Sequence, residues 1–156
     1  MRIAIFSDSH GRMHNCIRAM ETAGTIDHII HLGDTARDAE DLGIVFPDIP
    51  ITYVRGNCDL CAGVDAEKWI ELGGKRIFIC HGHSRSVKSG LTELAHAAKE
   101  ADLALFGHTH ERYHGEVNGT LLFNPGSISL PASGAPSFGI LTIENGMITL
   151  THYKLD

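Results

Sequence analysis

No apolar run in this sequence is long enough to span a bilayer, which takes about 20 consecutive apolar residues. The run inside MRIAIFSDSH is broken by Ser7 and Asp8 and is too short for the core of a secretory signal, so the expectation is a cytoplasmic chain with no membrane partner. Basic residues are also in deficit. Thirteen Lys and Arg stand against 19 Asp and Glu, a formal net charge of -6. An extended nucleic-acid surface needs the opposite balance to displace counterions from phosphates, so a small or single-site substrate is the better fit. There is no Gly-x-Gly-x-x-Gly, no phosphate-binding P-loop and no Gly-x-Ser-x-Gly, which removes the usual nucleotide-binding and serine-nucleophile readings. Cysteine is limited to four residues, and Cys58 and Cys61 form a lone CxxC without a second pair. These read as reduced thiols, mostly buried, rather than as a redox pair or half of a zinc site. No repeat, linker or low-complexity segment appears, and a length of 156 residues fits one domain, residues 1–156.

What the chain has in plenty is histidine, eleven residues in all. Imidazole is the commonest metal ligand and the side chain that titrates closest to neutrality, so the placement of these residues matters more than their number. Apolar strand-like runs occur at Arg2 to Phe6, His28 to Leu32, Ile51 to Val54, Arg76 to Cys80 and Asp102 to Phe106. Helix-like spacing links Met13, Ile17 and Met20, and again Val87, Leu91, Leu94 and Ala98. Hairpins are expected around Gly73-Gly74 after Trp69 to Leu72, at Asn118-Gly119 before Leu121 to Phe123, and at Glu144-Asn145-Gly146 between Phe138 to Ile143 and Met147 to Tyr153. Alternating strands and helices give an α/β core, and the strand count is too high for one comfortable layer, so two packed sheets with helices outside are expected. An exposed hairpin edge would leave room for a homo-oligomer.

Each of the five runs stops at a short polar motif: Ser7-Asp8-Ser9-His10, Gly33-Asp34, Arg55-Gly56-Asn57-Cys58-Asp59, His81-Gly82-His83 and Gly107-His108-Thr109-His110. Taken singly, an Asp-x-His or Gly-Asp is more often a turn or a cap than a ligand, and His81 alone could be a core histidine. Turn chemistry does not ask for imidazole, however. Two carboxylates, one amide and four imidazoles at equivalent positions after strands point to metal, because strand ends in α/β sheets form one rim. The candidate ligands are Asp8, His10, Asp34, Asn57, His81, His108 and His110. In an extended segment His108 and His110 would point the same way, about 6.5 Å apart, and would serve two ions roughly 3.5 to 4 Å apart. Asp34, on its glycine-preceded turn, suits the bridge between the ions, with a hydroxide as second bridge. Two divalent ions with two charged ligands leave a surplus of about two positive charges, a site tuned for an anionic substrate. Imidazole and carboxylate together suit Mn first, then Fe, Ni, Co or Zn, over an all-oxygen Ca or Mg site.

These blocks resemble the signature of the calcineurin-like metallophosphoesterases, and they occur in the family's order together with Asn124-Pro125-Gly126-Ser127, which is similar to a loop of compact members. The resemblance covers essentially the whole chain. It implies a four-layer αββα sandwich with two mixed sheets and a dinuclear centre. Asp8, His10, Asp34 and His110 would hold one ion, and Asp34, Asn57, His81 and His108 the other. It further implies a phosphoesterase, and a diester is the expected substrate among small phosphate esters. Many members carry histidine where this chain has Cys58, and a thiol of ordinary pKa is a poor substitute acid. Asn57, Cys58 and His83 are the candidate catalytic contacts, His83 as proton donor or phosphate contact. Asp59 is expected to orient a neighbouring ligand, and Arg85 is near enough in sequence to His81 to touch a phosphate. His14, His28, His31, His96, His114 and His152 are expected to be surface or packing residues. The alternative is a non-catalytic interaction module on the same fold, like the family-related retromer subunit, which a complete ligand set argues against.

Overall fold

The computed structural model describes residues 1–60 and 63–156, so Cys61 of the CxxC lies outside the described residues. In chain order the elements are β1 (Arg2–Phe6), α1 (Met13–Ala23), β2 (His28–His31), α2 (Ala36–Val45), β3 (Ile51–Tyr53), β4 (Glu67–Leu72), β5 (Lys75–Cys80), a 3-10 turn at His83–Arg85, α3 (Thr92–Ala97), β6 (Leu103–Leu105), β7 (Arg112–Val117), β8 (Thr120–Pro125), β9 (Ser137–Glu144) and β10 (Met147–Lys154). They build two five-stranded mixed sheets, ordered β10-β9-β1-β2-β3 and β4-β5-β6-β8-β7. Within the first, β1, β2 and β3 are parallel and β9 is antiparallel to β1. In the second, β5, β6 and β8 are parallel, with β4 and β7 antiparallel at the edges.

The period-2 alternation of a strand sorts side chains between layers. Ile3 and Ile5 of β1 face Ile77 and Ile79 of β5, with Leu105 and Phe123, in a core between the sheets. Ala4 and Phe6 face the other way, onto Cys16, Ala19 and Met20 of α1 and Leu42 of α2. In the second sheet Phe78 and Cys80 turn outward onto Leu94 and Ala95 of α3. The result is the four-layer αββα sandwich. Strands buried on both faces read as unbroken apolar runs, which is why the runs of β1, β2, β5 and β6 stand out in the sequence, whereas β3 is a half-buried edge strand.

One helical expectation changes and one helix is added. The spacing of Val87, Leu91, Leu94 and Ala98 does place all four against one core cluster, yet only Thr92–Ala97 is α-helical. Ser86 and Gly90 have φ of 50° and 143°, and such residues break a right-handed helix. The second change is α2, which the sequence did not reveal: it buries the small Ala36 and Ala39 with Leu42, and Gly43 sits inside it. No described helix is long and apolar enough to cross a membrane.

Candidate metal centre

The loops that follow β1, β2, β3, β5 and β6 meet at one rim, tied by their backbones. Asp8 N–H donates to Gly33 O (3.0 Å), His10 N–H to Asp34 O (3.0 Å) and Gly107 N–H to His81 O (2.8 Å). Asp59 is a central tie: Oδ2 accepts from Asp34 N–H (3.1 Å) and Gly56 N–H (2.7 Å), and Oδ1 accepts from Ala36 N–H (2.8 Å). Ser127 Oγ donates to Asp8 O (2.8 Å) and accepts from Ser129 and Leu130 N–H, while Asn124 Nδ2 donates to Gly107 O (3.0 Å) and Thr109 Oγ1 (3.1 Å). The Asn124 to Ser127 loop thereby supports two of the polar motifs.

All seven sequence-derived candidates come together. His10 Nε2 is 3.3 Å from His110 Nε2, which is 3.2 Å from Asp8 Oδ1. On the other side His81 Nε2 lies 3.1 Å from Asn57 Oδ1, 3.2 Å from His108 Nδ1, 3.4 Å from Asp34 Oδ2 and 3.8 Å from Asp8 Oδ1. Asp8 and His81 are fully buried and Asp34 is 2% exposed. His108 and His110 reach these positions by a different route from the extended segment expected. Both have positive φ, 68° and 59°, as do Asp8 (56°), His10 (49°) and Asp34 (43°). Non-glycine residues with such backbones cost on the order of 1–3 kcal/mol each and persist where the surroundings enforce them. Asp and His are among the non-glycine residues that adopt this region most readily, and five of them do so around one rim.

Glycines in the same blocks make room for the donors. A β-carbon on Gly56 would collide with Oδ1 of Asp34, and one on Gly107 would collide with Ser7 Oγ and lie 2.9 Å from Asp8 Oδ2.

The protonation pattern follows from these contacts. His81 Nδ1 donates to Leu32 O (2.7 Å) and His110 Nδ1 to Leu130 O (2.6 Å). A carbonyl only accepts, so Nε2 of both rings carries the lone pair in the neutral form. Burial disfavours charge on His81, but the Asp34 hydrogen bond and the Asp8 and Asp34 charges outweigh it and raise its pKa. For His110 the Asp8 contact is the largest influence and also raises it. Burial pushes up on the Asp34 and Asp8 carboxyls, yet their imidazole contacts, His81 for Asp34 and His110 and His81 for Asp8, hold both below the ordinary range. His108 is pushed down to about 4 by burial and by the charge on His81.

This donor set fits a cation. The Nε2 lone pair of neutral His81 is surrounded by oxygen acceptors of Asn57, Asp34 and Asp8, an arrangement that repels itself unless a proton or a metal ion sits among the atoms. Asp8 Oδ1 is buried and has no hydrogen-bond partner among the described residues. Ligand atoms of Asp8, His10 and His110, of Asp8, Asp34 and His81, and of His10, Asp34 and Cys58 lie within 4.8 Å of one another in each group.

The remaining candidates are placed differently. Cys58 is exposed at the mouth, and its N–H donates to Asp34 Oδ1 (2.9 Å). Its thiol is pushed up by partial burial and then by Asp34. His83 stands beside the centre, its ring 5.5 Å from that of His81 and 6.2 Å from that of His108. Its Nδ1 is buried without a partner among the described residues. Arg85 is paired with Glu67: its guanidinium makes two hydrogen bonds to that carboxylate, 2.6 and 2.7 Å long. Cys16 and Cys80 are buried. His31, expected to be a packing residue, does more. It is fully buried, its Nδ1 accepts from Gly33 N–H (3.2 Å), and its Nε2 donates to Ser9 Oγ (2.9 Å). It joins the loops that carry Asp8 and Asp34. The signal available in the sequence was its place at the end of the second run, three residues before Asp34.

Residues 1–146 match the family profile described as the calcineurin-like phosphoesterase superfamily domain. The chain is 33% identical to the probable metallophosphoesterase YsnB of Bacillus subtilis, over 98% of this chain and 90% of that protein. It is 30% identical to the phosphodiesterase MJ0936 of Methanocaldococcus jannaschii, over 92% and 94%. Among solved structures, a predicted phosphoesterase from Streptococcus pneumoniae superposes with a TM-score of 0.81 at 26% identity, covering 98% of this chain and 88% of that one. A zinc complex of Vps29 from Entamoeba histolytica shares the fold, with a TM-score of 0.76 at 20% identity and full coverage of both chains.

Proposed function

This chain belongs to the calcineurin-like phosphoesterase superfamily, and from that premise we propose that it is a metal-dependent phosphodiesterase acting on a small phosphate ester. The observation that carries the reading is His81 Nε2, placed among Asn57 Oδ1, Asp34 Oδ2 and Asp8 Oδ1, a position that either a proton or a metal ion can fill and that is ringed by ligand-type atoms. Asp8, His10, Asp34 and His110 would hold one divalent ion and Asp34, Asn57, His81 and His108 a second, with Asp34 common to both. Divalent ions held there, manganese first among the metals that suit these donors, would supply a hydroxide from water near neutrality, in the reading a bridge between the two, and Lewis-acid neutralisation of the phosphoryl oxygens.

The chain's own side chains divide the rest. Asn57 contributes a neutral donor and so leaves the positive surplus that attracts an anion. Leu32 O and Leu130 O hold the His81 and His110 rings in the tautomer that offers Nε2. Burial, His81 and Arg55 keep the pKa of His83 below its usual value, so near neutrality it can donate one N–H to a phosphoryl oxygen but does not arrive as an acid. Cys58, a thiol pushed up by its surroundings, is no acid either. Substrates whose leaving group departs without a proton are therefore favoured.

The purified protein should hydrolyse an activated aryl phosphodiester with added Mn²⁺, lose that activity to a chelator, and lose it again in Asp34→Asn. Full activity in that variant would overturn the reading. The interaction-module alternative draws on the shared fold alone and predicts no turnover in the same assay, whereas a protein that only stores or senses metal predicts binding without turnover.

A further inference from the structure

Resting on the reading of the centre given above, we propose that Cys58 is an additional metal ligand whose thiolate, with His10 and Asp34, makes a three-donor site selective for a thiophilic divalent ion such as zinc or cobalt. One ligand atom from each of these three residues lies within 4.8 Å of the other two. Residue 58 is held against the carboxylate by its own N–H, which donates to Asp34 Oδ1 at 2.9 Å, and Sγ lies 3.7 Å from Asn57 Nδ2. The sulfur thus stands among a candidate ligand of each ion and the carboxylate common to both. His10 and Asp34 also belong to donor groups that contain Asp8. The buried Oδ1 of Asp8, 3.2 Å from His110 Nε2, belongs to those neighbouring groups and not to the one that contains Cys58.

The chemistry balances simply: the thiol loses its proton to solvent, and the sulfur lone pair forms the bond to the ion. Thiolate is a soft donor and favours zinc and cobalt over manganese and magnesium. It also removes one unit from the positive surplus that draws an anionic ester, so the soft-ion form should hydrolyse substrate more slowly than the manganese form. Cys58 is exposed while Asp8 and His81 are fully buried, which places the sulfur at the solvent end of the centre.

Titration of metal-stripped protein with Co²⁺, followed by absorption, tests this. The expected result is visible d–d bands together with a sulfur-to-cobalt charge-transfer band in the near ultraviolet. That band should vanish in Cys58→Ser and persist in Cys61→Ser, and Zn²⁺ affinity should fall roughly tenfold or more in Cys58→Ser while Mn²⁺ affinity holds. Visible bands without charge transfer in the wild type would overturn the sulfur ligand and leave the metal centre standing. Loss of charge transfer in both serine variants would replace the three-donor site by a CxxC site and overturn the proposal. Absence of any cobalt binding would overturn the metal centre itself. Should Cys58→Ser fail to fold by circular dichroism, Cys58→Ala gives the same readout.

Discussion

Oδ2 of Asp34 lies 3.4 Å from Nε2 of His81, and the contact shifts both groups against the push of burial: the carboxyl is held below its ordinary range and the imidazole above. In the metal-free chain, at pH below the raised pKa of His81, a proton takes the place proposed for a metal ion. The raised imidazole contributes stability that is complete below its ordinary 6.5 and is lost as pH rises through the folded value.

Metal uptake must therefore release that proton. As pH falls through the folded-state pKa of His81, which lies above the ordinary 6.5, Mn²⁺ affinity should weaken toward roughly tenfold per pH unit. Calorimetry in buffers of different ionisation enthalpy reads the released proton directly. An affinity flat across this window would place the ion away from the Asp34–His81 pair.

His31 behaves in the opposite sense. Burial pushes it down to about 4 from an ordinary 6.5, so the unfolded chain takes up the proton first and stability is lost as pH falls from about 6.5 to about 4. The full effect is roughly 3 kcal/mol. Urea midpoints of the metal-free protein should drop across this range, and His31→Gln, which has no ring to protonate, should flatten the dependence. His108, also pushed down to about 4, contributes in the same direction.

Gly56→Ala brings a methyl group onto Oδ1 of Asp34. The carboxylate has to move, and metal affinity should fall at least tenfold, as misplaced ligands or their supports typically cause. Circular dichroism should show the fold retained. Unchanged Mn²⁺ binding would mean that Asp34 is not a ligand in its present position.

Asp59→Ala strands three buried N–H groups, those of Asp34, Ala36 and Gly56. Leaving buried donors unpaired costs about 1–3 kcal/mol apiece before relaxation, so a loss of roughly 3 kcal/mol in urea unfolding is expected. Metal affinity should decline as well, because two of the three N–H groups belong to loops that carry Asp34 and Asn57. A variant as stable as the wild type would show that water replaces the carboxylate.

Most strand ends were legible because β1, β2, β5 and β6 are buried on both faces, and so an apolar run such as Ile77 to Cys80 halts abruptly where its loop begins. The hairpins were legible for a local reason: Asn118-Gly119 and Asn145-Gly146 all have positive φ, the backbone that such pairs provide in two-residue turns. Helix α2 was not, since it buries alanines at Ala36 and Ala39 that carry little periodic signal. At the site, residue type and position after a strand identified the seven candidate donors, but the left-handed backbone of His108 and His110 replaced the extended geometry expected of an i, i+2 pair. His31 escaped notice because its role is made by two hydrogen bonds across the fold, to Ser9 and Gly33, and no spacing along the chain records them.

The carbonyls of Leu32 and Leu130 decide which ring nitrogen of His81 and His110 bears hydrogen. A main-chain acceptor cannot be exchanged by substitution, so every point variant that folds inherits the same order of lone pairs. Directed evolution around the rim can alter what enters and how long it stays. Reversing the rings themselves would take an insertion or deletion that displaces a stretch of backbone.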